Sequence, residues 1–181
     1  MYRPISTLLL LGTCTYAFGQ GTFTLKSADL GGQATMQQVY DGFGCTGANT
    51  SPQLAWSNPP EGTKSYAVTM YDPDAPTGSG WWHWVVFDLP GSIMTLPTGA
   101  GTNGKTDLPT GAVQSITDFG TAGYGGPCPP PGHGAHQYII TVYALDLEKL
   151  GLDAKASAPM VGFNLHQHTL AKASLVFYYG R

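Results

Sequence analysis

Two short stretches hold most of the side chains that could do chemistry: DPDAPTGSGWWHW at 72–84 and GPCPPPGHGAHQY at 126–138. The first sets Asp72 and Asp74 beside Pro73 and Pro76, which fix φ and bias their preceding residues to extended shapes, so the carboxylates sit in a stiff corner. Asp beside Pro also caps turns, and that bland reading stands next to the functional one. In the second stretch glycines allow close backbone approach and prolines stiffen the loop, which favours a backbone-lined pocket.

Each stretch joins a strand-like segment. In 65–71, Tyr66, Val68 and Met70 alternate, and period 2 places Asp72 at the end of that inward row. In 137–145, His136 and Tyr138 lead the row of Ile140 and Val142 in the same way. Strict alternation puts His83 with Val85 and Phe87, opposite Trp82, Trp84 and Val86. A histidine on an apolar row is commonly a satisfied core residue, and a nearby carboxylate would explain it in either role.

Other chemistries have less support. His133 and His136, with His166 and His168, do not form a tight metal-ligand motif, so no metal or other cofactor is expected. There is no G-x-S-x-G elbow and no GxxxxGK[ST] loop, which argues against an elbow-type hydrolase and against nucleotide hydrolysis. A carboxylate or histidine acting as acid and base keeps a weak hydrolase as the alternative.

The elements that must position these groups read as mainly β. The chain has 181 residues, 42% hydrophobic and only 10% charged, with 25 glycines and 14 prolines, which suits one domain of short strands joined by turns. Strands are expected at 22–26, 35–40, 53–56, 65–71, 82–89, 112–117, 137–145 and 174–179, with antiparallel connections. A single helical turn is expected at 147–151 and a true helix at 158–173. The long Gly- and Pro-rich segments 90–109 and 121–135 are candidates for functional loops.

At the N-terminus, Arg3 precedes an apolar run from Ile5 to Gly12, followed by small residues at Ala17 and Gly19, which reads as a signal peptide over 1–19 and a single domain over 20–181. A lipoprotein signal at Cys14 fits less well, and no later segment is apolar enough to span a bilayer. Loss of 1–19 removes one basic residue, Arg3, and takes the formal charge from −3 to −4, which argues against a nucleic-acid partner. Of the three cysteines, Cys45 and Cys128 then remain, and in a periplasmic or secreted chain they most simply form a disulfide, the alternative being two separate thiols. Asn49-Thr50-Ser51 is a glycosylation sequon, relevant only in a eukaryotic host.

The ordered motifs YDPDAP, WWHWVVFDLP and DFGTAGYGGPCPPPGHGAHQYIITVYALD, with CTGANTSPQLAWSNPP before them and MVGFNLHQHTLAKASLVFYYGR after, resemble the phosphatidylethanolamine-binding protein family. The similarity is to its bacterial, Raf-kinase-inhibitor-like exported branch and spans about 22–180. It implies a Greek-key β-sandwich of two antiparallel sheets with a helix near the C-terminus. It also implies a small anion pocket lined by Asp72, Asp74, His83, Gly126, His136 and Tyr138. This chain departs from the family pattern in having Gln137 where Arg is common after the pocket histidine, and nothing follows Arg181 to match the segment that gives eukaryotic members another pocket tyrosine.

Taken together, these readings predict a non-enzymatic binding protein for a small anion such as a phosphorylated head group, with a surface-mediated interaction protein as a further alternative. Kinase inhibition does not carry over to an exported chain, and a homodimer is expected from the bacterial branch. Within the pocket, Asp72 is expected to orient His83 and favour its cationic form, while N–H groups near Gly126 and the Tyr138 hydroxyl donate to the ligand.

Overall fold

The computed structural model describes residues 21–104 and 107–181; the expected signal peptide lies outside the described residues. The elements in chain order are β1 (Thr24–Lys26), β2 (Leu54–Ser57), β3 (Ser65–Asp72), β4 (Trp81–Pro90), β5 (Thr95–Leu96), β6 (Val113–Gln114), β7 (His136–Leu145), α1 (Ala158–His168) and β8 (Thr169–Tyr179). They build two antiparallel sheets, a small one ordered β1-β2-β5 and a large one ordered β6-β4-β3-β7-β8.

Alternation along the long strands makes the layers. Val68 and Met70 of β3, Trp84 and Val86 of β4, and Tyr138, Ile140 and Val142 of β7 point into one core, where they meet Leu25, Leu54 and Trp56 of the small sheet. On the opposite face Ala67, Val85, Phe87 and Leu145 pack against Ala158, Val161 and Leu165 of α1. The helix starts where Ser157 accepts a hydrogen bond from the Met160 amide, with Pro159 in its first turn.

Three expected elements fold differently. Residues 35–40 do not pair as a strand; Thr35 instead starts a turn, its carbonyl accepting from the amides of Gln38 and Val39 while the Gln38 side chain accepts from the Thr35 amide and hydroxyl. Residues 147–151 form bends, not a helical turn, and the Leu150 amide is taken by Asp88. The helix ends at His168 rather than 173, because Thr169 turns extended and β8 pairs with β7 from Leu145↔Thr169 to His136↔Tyr179. That ladder pairs groups on the edge of β7 that a longer helix would leave without partners, so tertiary pairing overrides the local helical spacing. The short β5 lies outside the expected strands, and β6 is the paired remnant of the expected 112–117 strand.

Candidate functional site

The end of β3, the start of β4 and the start of β7 lie side by side at one end of the large sheet, and there a cavity of about 170 Å³ opens. Asp72, His83, His136 and Tyr138 line its floor, all of them buried. Phe43, Trp81, Phe119 and the Cys128–Pro130 segment form much of the wall. Among the expected site residues, Asp72, His83, His136 and Tyr138 therefore converge, whereas Asp74 and Gly126 are not part of the lining.

Each aspartate does a separate job. Asp72 Oδ1 accepts from the Asp74 amide at 2.8 Å, the turn-capping role Asp beside Pro commonly plays, while Oδ2 lies 2.8 Å from His136 Nδ1. Asp74 is exposed, and its Oδ2 accepts from the Gln137 amide at 2.8 Å, a strut between the DPDAP corner and the head of β7. Asp72 thus orients His136, not His83 as expected.

His83 differs from expectation because of a β-bulge. Met70 pairs with Trp84 but Tyr71 pairs with Trp82, so His83 is the extra residue and leaves the row of Val85 and Phe87. Its ring packs edge-on against Tyr138, with centroids 5.2 Å apart, and against Phe119 at 5.3 Å. Nδ1 is 2.8 Å from the Gly125 carbonyl, and the Gly125 amide donates back to the His83 carbonyl at 2.9 Å. A carbonyl only accepts, so Nδ1 carries the proton and Nε2 of the neutral ring is an acceptor. Burial pushes this imidazole down to about 4, against smaller opposing effects of Gly125 and the Asp72 charge. His83 is therefore neutral near pH 7, the reverse of the cationic form expected from Asp72.

Gly126 is also reassigned. Its amide donates to Asn49 Oδ1 at 2.8 Å, and a Cβ there would stand 1.9 Å from the Gln38 carbonyl oxygen, so it is a close-packing point behind the wall with no free N–H for a ligand. The same bond occupies the sequon side chain of Asn49. His133 is exposed 5.8 Å from His136, ring to ring, while His168 contacts Asp146 and neither it nor His166 lines the cavity. No cluster of three or more metal-ligating side chains occurs among the described residues.

The Tyr138 hydroxyl is the exception to this satisfied network. It is buried and makes no well-formed hydrogen bond among the described residues, although the Asp72 carboxylate lies close enough to act on its proton. Burial first, then the charge and the hydrogen-bonding pull of the Asp72 carboxylate, raise its pKa far above the ordinary phenol value, so it remains an O–H donor.

The tryptophans and prolines of 72–84 are expected from the sequence to form an apolar wall, and Trp81 and Pro76 do line the cavity; sequence reasoning missed Phe43 and Phe119, the latter just ahead of the long Gly-rich segment 121–135. The expected bridge is present: Cys45 and Cys128 are disulfide-bonded, which ties the Phe43 loop to the GPCPPPG wall.

A model of the phosphatidylethanolamine-binding proteins matches residues 26–180. The chain belongs to the phosphatidylethanolamine-binding protein family. Among relatives of this family, the UPF0098 protein YbcL of Escherichia coli K12 is 48% identical over 171 residues, covering 94% of this chain and 93% of its own. YbhB of the same organism is 53% identical over 153 residues, 83% of this chain and 96% of that one. The crystal structure of E. coli YbcL, described as a new member of the mammalian family, superposes with a TM-score of 0.86 at 50% identity, over 88% of this chain and 98% of that one. The two antiparallel sheets and single short helix are thus the family's fold.

Proposed function

We propose that the protein is an exported, non-enzymatic binding protein whose cavity takes a small anionic group, a phosphate or phosphomonoester. The observation that carries this reading is the Tyr138 hydroxyl, a buried donor without a well-formed hydrogen bond on the floor of a concave, mostly apolar site. A buried, unsatisfied hydroxyl costs free energy that a ligand oxygen would recover.

The other floor groups refine the ligand. Asp72 already accepts two hydrogen bonds, and His83 offers Nε2 as an acceptor. A donor beside an acceptor suits a phosphate that keeps one proton, with P–O⁻ facing Tyr138 and P–OH facing His83. Phosphomonoesters lose that proton near pH 6, so affinity falls as pH rises through that ionisation. Gln137 in place of the family's usual Arg fits a ligand of low net charge.

Calorimetry with inorganic phosphate tests this reading. Wild type should bind at millimolar concentration at pH 5.5, and Tyr138→Phe should lose at least tenfold in affinity. Equal binding by both proteins would overturn it.

One observation favours a second reading. The buried Asp72–His136 pair has the geometry of an orienter and a general base, so a weak hydrolase is the alternative. Turnover of a phosphate or acyl ester by wild type, lost in His136→Ala, would establish that reading over binding alone.

Export rests on the signal-like N-terminal sequence and is consistent with the disulfide. A homodimer belongs to the same proposal; Val176 and Tyr178, exposed on β8, offer apolar surface, and sedimentation showing only monomer at micromolar concentration would contradict it.

A further inference from the structure

At the mouth of the cavity Phe43 combines three features that packing alone does not explain. Its backbone is left-handed at φ 54°, a conformation that costs a bulky residue free energy. Its side chain remains 65% exposed, so core burial does not offset that cost. Two independent ties hold the loop in place. Arg181 donates through its guanidinium to the carbonyls of Phe43, at 3.1 Å, Gly44, at 3.1 Å, and Pro129, at 2.7 Å, and the Cys45–Cys128 disulfide joins the same two loops. The Phe43 ring continues an aromatic row, 5.8 Å from Phe119, which in turn is 5.3 Å from His83.

We infer that Phe43 is a specificity-determining shelf, with Arg181 as its positioning residue, and that it selects anions carrying an aromatic group, such as aryl phosphates, over bare phosphate. The inference rests on the anion reading of the floor. Tyr138 and His83 hold the oxygens, and the row of Phe119 and Phe43 leads outward from them along the path a ring esterified to the phosphate would follow. Ring-on-ring contact of this kind adds about three- to tenfold in affinity.

The test compares three probes, inorganic phosphate, phenyl phosphate and phenol, by NMR titration of wild type, Phe43→Asn and Arg181→Gln. Asn tolerates the left-handed backbone, so Phe43→Asn removes the ring without forcing the loop to refold. Wild type should prefer phenyl phosphate to phosphate by about three- to tenfold, and in Phe43→Asn the ratio of the two affinities should fall to about one. Arg181→Gln should show the same loss with a native spectrum, a change in selectivity that a merely structural role would not produce.

Equal affinity of wild type for phenyl phosphate and phosphate would overturn the shelf and leave the anion floor standing. Phenol shifting Phe43 resonances with no response to phosphate would support the shelf and overturn the anion floor. No response to any probe would overturn both.

Discussion

At the residue scale, His83 is buried with its carbonyl and Nδ1 tied to Gly125 and with no carboxylate bonded to it. Its imidazole is held down at about 4 in the folded protein against 6.5 unfolded, so the folded state resists protonation that the unfolded chain accepts. Stability from this group is full above pH 6.5 and falls as pH drops towards 4, by about 3 kcal/mol over that window. Urea denaturation at pH 7 and pH 4 should show that loss in wild type, and the His83→Gln variant should lose correspondingly less. Tyr138→Phe should leave stability unchanged or raise it, since it removes an unsatisfied buried hydroxyl; a loss above about 1 kcal/mol in chemical denaturation would mean the hydroxyl has a structural partner. Asp72, His136 and Tyr138 were legible because unbroken alternation carries each to the end of an inward row. The partner of Asp72 was not, because one extra residue at His83 turns a side chain to the other face and no sequence period records a bulge.

Elements bring these residues together through close approach as much as through pairing. The segment around Gly126 packs on the turn at 35–40, where Tyr40 donates its amide to the Pro127 carbonyl and Tyr124 donates its hydroxyl to the Gln38 carbonyl. A methyl group at 126 would strike main chain, which cannot swing aside, so Gly126→Ala should destabilise by at least about 2 kcal/mol and weaken ligand binding only through a displaced wall. Thermal denaturation measures the first effect, and a Tm equal to wild type would contradict it. The long strands were readable from their apolar rows, since β3, β4 and β7 are buried along nearly their whole length. The end of α1 and the turn at 35–40 were not, because long-range pairing with β7 and side-chain caps decide them.

For the whole molecule, the disulfide joins positions 83 residues apart and thereby fixes the mouth of the cavity to the rest of the sandwich. In the loop-entropy account such a bridge stabilises by about 4.5 kcal/mol, so reduction under native conditions should lower the unfolding free energy by that order, and an unchanged denaturation midpoint with a thiol reductant would contradict it. Two sheets and a helix thus hold an apolar-walled cavity whose floor has one buried donor without a well-formed hydrogen bond. The claim that this cavity receives a phosphate is tested most directly by titrating the protein with inorganic phosphate at pH 6 while observing the Tyr138 ring and the imidazole nitrogens of His83 and His136. Our account predicts saturable shifts at Tyr138 and at His83 Nε2, absent in Tyr138→Phe; unchanged resonances at millimolar phosphate would contradict it.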